Sequence, residues 1–284
     1  MLSFLKNKSP NFLKTLARKT RRMLYETSDK LKPYLIHRKY CGYRLYYTRG
    51  AGLIDRIRIG NINKIYEPEL VNSICDELKK HESPVFLDIG TNIGLISLAV
   101  LKTIPNVKIF CFEPGPIPYA SFTSTILANK LSDKVKLYNE ALNKESGYID
   151  FYMHNDKDSS GDGMIDTRRS ESDSTRITVK STTLDEWSNL NNEEKINVVK
   201  IDIEGAELCA LQGSIEFLSK NKPIIFLEIS KENLKVYPHN ELDILNFFES
   251  NDYNLFNLSN MKINQDNIKN IVDTEDTFIA KPKK

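Results

Sequence analysis

The sequence predicts an α/β fold built on a mostly parallel sheet, and three observations carry that prediction. Apolar runs of strand length, such as "PVFLDIG", "VKIFCFEP", "VVKIDIEG" and "PIIFLEIS", recur between residues 84 and 230. Amphipathic segments of helical period separate them. The runs are nearly continuous rather than alternating, which marks strands covered on both faces. The chain ends differently, with "YNLFNL" and "DTFIAKP" and no helical pattern between them, so an antiparallel pair is expected at one edge of the sheet.

Taken in order, residues 11–32 place Phe12, Leu13, Leu16, Met23, Leu24 and Leu31 at roughly helical spacing, with Arg18, Lys19, Arg21 and Arg22 between them. This basic amphipathic pattern fits a helix lying on an anionic membrane surface, or one folded back on the body of the protein. The first 50 residues hold 13 Lys and Arg against 2 Asp and Glu, a formal +11, whereas the remaining 234 hold 27 against 36, a formal −9. A basic extension over residues 1–40 is therefore expected to precede one domain over 41–284. Short alternations between Tyr43 and Ile65 read as strands or a hairpin, and residues 66–80 as a helix with Pro68 in its first turn. Five strand runs follow, with helices expected at 94–102, 116–130, 206–220 and 239–250. Between the third and fourth runs, "GYIDFYMH" and "TRITVKSTT" read as a strand pair around a mobile polar loop, 155–175. "TTLDEW" at 182–187 reads as a helix start.

Composition excludes several classes. Cys41, Cys75, Cys111 and Cys209 are scattered without a CxxC, so neither a disulfide framework nor a zinc site is expected. No run approaches about 20 apolar residues, and the basic N-terminus lacks the apolar run of a secretory signal. The expected location is cytoplasmic, with peripheral contact to the inner face of a membrane through residues 11–32. No nucleic-acid module is recognisable, and the body is acidic.

The candidate site is read from what ends each strand, because ligands of open α/β sheets bind beyond the strands' carboxyl ends. The first strand ends in "LDIGTNIGL". Its glycines allow a tight turn, and the following helix brings unpaired N–H groups. The spacing is not G-x-G-x-x-G, and Asp88 suits a positively charged ligand group better than a phosphate. The second strand ends at Glu113, where an acid accepts hydrogen bonds from two ribose hydroxyls and repels a 2′-phosphate. The third ends in Asn139, Glu140 and Ala141, suited to the neighbourhood of a base. The fourth ends in three carboxylates, Asp202, Glu204 and Glu207. Of these, Glu207 fits the first turn of a helix, while Asp202 and Glu204 are expected to face the crevice. Glu228 ends the fifth strand beside them. Asp202 and Glu228 offer oxygen ligands to a divalent cation as a minor alternative, and His239 is a reserve general base.

The ordered set "FLDIGTNIG", "FEP", "NEAL", "TTLDEW", "KIDIEGAE" and "FLEIS" resembles the FkbM-type S-adenosylmethionine-dependent methyltransferases, over about residues 66–256. The resemblance implies the Rossmann-like class I methyltransferase fold with seven strands. It places Asp88, Gly90, Thr91, Asn92 and Gly94 at the methionine end of the cofactor, Glu113 on its ribose, and Asn139, Glu140 and Ala141 around its adenine. Asp202, Glu204 and Glu228 are left for the acceptor, expected to be a sugar, glycan or other hydroxylated compound that is O-methylated. Two other readings are a cofactor-binding scaffold without catalysis and a nicotinamide-dependent oxidoreductase.

Overall fold

The computed structural model describes residues 35–48, 65–154, 161–166, 174–191 and 195–283. The amphipathic pattern at 11–32 lies outside them. The first described element is a hairpin, β1 (Leu35–Tyr40) and β2 (Tyr43–Thr48), paired from Leu35↔Thr48 to Tyr40↔Tyr43. It therefore straddles the boundary expected at residue 40. Side-chain acceptors on the helix α3 (Pro116–Ala128) and just beyond it hold the hairpin. Tyr46 N donates to Thr125 Oγ1 at 2.9 Å, and Arg44 N donates to Asn129 Oδ1 at 2.8 Å.

The central sheet contains β3 (Val85–Ile89), β4 (Lys108–Phe112), β5 (Val135–Tyr138), β9 (Val198–Ile201), β10 (Ile224–Glu228), β11 (Tyr253–Asn257) and β12 (Thr277–Pro282). Their order is β11-β12-β10-β9-β3-β4-β5. The pairs from β10 to β5 are parallel, while β12 runs antiparallel to both β10 and β11. This is the seven-stranded, mostly parallel sheet with an antiparallel edge that the strand pattern implied.

Period-2 alternation sorts the strand residues onto two cores. Val85, Leu87, Ile89, Phe110 and Phe112 face one side, with Trp187, Leu211 and Phe248. Phe86, Ile109, Cys111 and Val198 face the other, with α1 (Pro68–Leu78), α2 (Leu95–Thr103) and Phe122 of α3. The lone tryptophan sits edge-on to Phe110, Phe112 and Tyr138, with ring centroids 5.3–5.8 Å apart, and seals the end of the first core.

Several expected elements are differently cut. "VKLYNEAL" is not one strand. β5 stops at Tyr138, and β6 (Ala141–Leu142) leaves the central sheet to pair parallel with β8 (Ser174–Thr182), which pairs antiparallel with β7 (Gly147–His154). The helix α4 (Leu184–Asn191) starts where "TTLDEW" placed it, with Thr183 Oγ1 accepting from Glu186 N. The 206–220 pattern is two helices, α5 (Glu207–Gln212) and α6 (Ile215–Asn221), because the chain turns at Gly213 and Ser214. The short α7 (Lys231–Leu234) and then α8 (Glu241–Ser250) follow β10, the latter closed by a capping box between Asn240 and Asp243. A four-residue helix, α9 (Ile268–Ile271), lies between the two final strands, where no helix was expected. A single turn is too short to show a period in sequence.

Candidate cofactor and acceptor site

The carboxyl ends of β3, β4, β9 and β10 open on a cavity of about 400 Å³. At one end lies the loop after β3. Gly90 N and Thr91 N both donate to Phe112 O, which lashes this loop to the end of β4. Gly90 has φ +75°, and a Cβ there would lie 1.9 Å from the Asp202 carbonyl oxygen, so the loop and the end of β9 approach as closely as only glycine permits. Gly90, Thr91 and Asn92 line the cavity.

Glu113 is buried at the same end. Its Oε2 accepts from Asn92 N and its Oε1 from Gly115 N, both at 2.8 Å. Burial pushes its carboxyl up to about 7, against these two donors, which pull it down. Phe112, Glu140, Ala141, Leu142 and Phe151 continue the wall.

Three residues expected on the cofactor lie off the cavity wall. Asp88 is fully buried beneath the loop, where its Oδ2 accepts from Thr91 Oγ1 at 2.9 Å and Ser97 Oγ at 2.6 Å. It faces the α2 core because its parity on β3 is that of Phe86, and it holds the loop from below. Gly94 packs against Phe122, whose ring a Cβ would meet at 2.1 Å. Asn139 turns back to the main chain and donates to the carbonyls of Glu113 and Pro114.

Among the described residues, Asp202, Glu204 and Glu228 converge at the other end, each offering an oxygen within 4.8 Å of the others'. They come together because β9 and β10 are neighbours in parallel register. β9 stops at Ile201, so Glu204 reaches this cluster from a turn and not from a continued strand. Its backbone is left-handed at φ 58°, a strained conformation for a residue with a Cβ, and Asn233 Nδ2 donates to its Oε2 at 2.8 Å. Glu207 braces the turn from inside: Oε1 accepts from Ile203 N at 3.0 Å and Gly205 N at 3.1 Å. Burial, then the charge of Asp202, pushes the Glu228 carboxyl far above its usual range. Glu228 and Asp202 therefore titrate together, as a pair that holds a proton more readily than two separate carboxylates would. Asp202, Glu204 and Glu228 could offer a divalent cation three carboxylate ligands, with water completing a shell of about six. His239 lies off the cavity wall, with Nε2 3.0 Å from Gly205 O, and burial lowers its pKa.

Sequence reasoning missed Lys200. Its side chain is buried in the cavity floor, with Nζ donating to Gly90 O at 3.0 Å and lying 3.2 Å from Asp202 Oδ2 and 3.6 Å from Asp88 Oδ1. Burial alone would lower this ammonium's pKa, but Asp202 and Asp88 outweigh it and hold the pKa above the ordinary value. A cation inside the apolar run "VVKI" was the available signal, since lysine is rarely buried without partners. Tyr66, Glu67 and Asp276 at the cavity margin carried no such signal.

A family model described as the methyltransferase FkbM domain matches residues 88–255. The chain belongs to the FkbM methyltransferase family. It is accordingly an S-adenosylmethionine-dependent methyltransferase. It is 30% identical over 168 residues to the 2-O-methyltransferase NoeI of Sinorhizobium fredii, spanning 55% of this chain and 68% of that protein. It is 27% identical over 170 residues to the hexuronic acid methyltransferase AglP of Haloferax volcanii, spanning 57% and 65%. The crystal structure of an FkbM methyltransferase from Methylobacillus flagellatus superposes with a TM-score of 0.47 at 15% identity, covering 70% of this chain and 43% of that one.

The donor set fits the family's cofactor. Each Glu113 oxygen already accepts one backbone N–H and has a second lone pair that a ligand hydroxyl could use. Phe112, Ala141, Leu142 and Phe151 make an apolar slot for a base, and the Gly90–Asn92 loop supplies close backbone.

Proposed function

We propose that this FkbM-family methyltransferase O-methylates a sugar or glycan, with Glu113, Gly90, Thr91 and Asn92 holding the cofactor and Asp202 facing the acceptor. The observation that carries this reading is the cavity itself. It joins a ribose-type acid at the end of β4 to a carboxylate cluster at the end of β9 and β10. The names of two relatives, a 2-O-methyltransferase and a hexuronic acid methyltransferase, support a sugar as acceptor.

When bound, the cofactor supplies an electrophilic methyl group on a sulfonium. The protein must then place a hydroxyl in line and remove its proton as the new bond forms. Lys200 favours the ionised form of Asp202, and burial makes Glu228 the member of the pair that keeps a proton more readily. Asp202 therefore accepts the acceptor's hydroxyl proton. Glu204, fixed by Asn233, is placed to accept a hydrogen bond from a neighbouring hydroxyl. The basic segment 11–32 belongs to the same reading, bringing the enzyme to a lipid-linked or otherwise anionic acceptor.

The test has two steps. Calorimetric titration of S-adenosylmethionine should show binding to the wild type and loss of about tenfold or more in Glu113→Ala, the cost of losing charge-assisted hydrogen bonds. Tritiated methyl transfer to a panel of neutral, amino and uronic sugars should then fall by roughly 10²–10⁴ in Asp202→Asn. Cofactor binding with no transfer to any hydroxylated acceptor would sink the O-methylation reading.

A further inference from the structure

The polar stretch between β7 and β8 was expected to be a mobile loop. Its described part, residues 161–166, points to a different role. Tyr152 N donates to Gly163 O at 2.8 Å and Gly163 N donates to Tyr152 O at 3.1 Å, so this short strap pairs with β7 as an extra strand would. The pairing brings Asp162, Gly163 and Met164 into the cavity wall, next to Phe151 and opposite the strand ends. Gly163 sits over the turn after β9, where a Cβ would lie 3.4 Å from the Glu204 Cβ.

Asp162 is the chemically active member of the strap. Its side chain is only 7% exposed, and its Oδ1 accepts from the His154 backbone N–H at 2.8 Å. The His154 ring lies against the same oxygen, with Nδ1 at 3.5 Å, and its Nε2 is 3.8 Å from Asp166 Oδ1. Asp166 is in turn held by Ser174 Oγ at 2.6 Å. Asp162 also lies close enough to Glu113 for its charge to help raise that carboxyl, after burial. Two nearby carboxylates facing one cavity are costly unless the occupant brings hydrogen-bond donors. The adenosine half of the cofactor brings three, an exocyclic amine and two ribose hydroxyls.

We propose that Asp162 is a cofactor-binding residue that accepts a hydrogen bond from the adenosine half of S-adenosylmethionine, so that the 161–166 strap covers that half through Asp162 while Gly163 reaches the Glu204 turn. His154 is its positioning residue. The proposal rests on the S-adenosylmethionine reading, but it concerns a residue outside the strand-end set from which that reading was built.

The experiment is calorimetric titration of two probes, S-adenosylmethionine and 5′-methylthioadenosine, which lacks the amino-acid end. Asp162→Asn should weaken both by a similar factor, about tenfold, as expected for one charge-assisted hydrogen bond in a buried site. The unliganded variant should melt near the wild type while losing most of the ligand-induced rise. Asp162→Ser, which removes the carboxylate without added bulk, gives the same readout should the amide perturb the strap. Wild-type affinity for both probes in both variants overturns the proposal and leaves the cofactor reading intact. Weakening of S-adenosylmethionine alone overturns the adenosine assignment, since Asp162 would then serve the amino-acid end. A wild type that binds neither probe overturns the cofactor reading and this proposal together.

Discussion

Lys200 shows how much of the site depends on one side chain. In the parallel register of β3 and β9 it stands directly opposite Asp88, a carboxylate with no access to water, whose Oδ1 makes no hydrogen bond. Lys200 is the positive charge beside that oxygen, and it also ties the Gly90 carbonyl to Asp202. Removing one partner of a buried ion pair typically costs roughly 3–5 kcal/mol, because the other is left charged in a poor solvent. Lys200→Met should therefore destabilise the fold by about that much in urea unfolding. Asp88→Asn in the same chain should recover part of the loss, since the amide has no charge to strand. A cost below about 1 kcal/mol, or strict additivity of the two changes, would show that Lys200 and Asp88 are not coupled.

At the scale of elements, the turn from β9 into α5 holds the cavity carboxylates Asp202 and Glu204, and Glu207 holds the turn. Burial pushes the Glu207 carboxyl up to about 7, against the N–H groups of Ile203 and Gly205. The folded pKa lies above the unfolded one, so Glu207's contribution to stability is fully present below about pH 4.5 and is lost as pH rises through 7. Glu207→Gln keeps the acceptor for both N–H groups and removes the ionisation. Its melting temperature should therefore exceed the wild type's at pH 8, by the equivalent of up to about 3 kcal/mol, and the gain should shrink to about 1 kcal/mol at pH 5 and vanish toward about pH 4. An unchanged difference across that range would mean that Glu207 is ionised throughout. The sequence showed this turn only in part. The end of β9 at Asp202 and a support role for Glu207 were legible, because apolar runs and first-turn acids have local causes. The left-handed Glu204 was not, since its conformation is imposed by Asn233 and by the strap around Gly163, both distant in sequence. Asp88 was misplaced for a related reason. A strand-end acid reads the same whether it faces the crevice or the core, and only its parity on β3, with Lys200 opposite, decides.

For the molecule as a whole, the charge division has a consequence that the cavity does not. The acidic body carries the carboxylate-lined site, while 13 of the 40 Lys and Arg lie in the first 50 residues. The hairpin at 35–48 is bonded to Thr125 and Asn129, so the described chain starts on an element fixed to the body. No helix among the described residues is long and apolar enough to cross a membrane. Basic residues near an anionic bilayer contribute about 1 kcal/mol each, screened over about 8 Å at physiological salt. The full chain should therefore co-sediment with vesicles containing about 30% anionic lipid, ignore neutral ones, and detach as salt rises toward about 0.5 M. A chain lacking residues 1–32 should stay in the supernatant while keeping its affinity for S-adenosylmethionine. If the truncated chain sediments as the full one does, the basic segment is not the attachment. If the full chain never sediments, the segment serves the body of the protein, and the acceptor need not lie at a membrane.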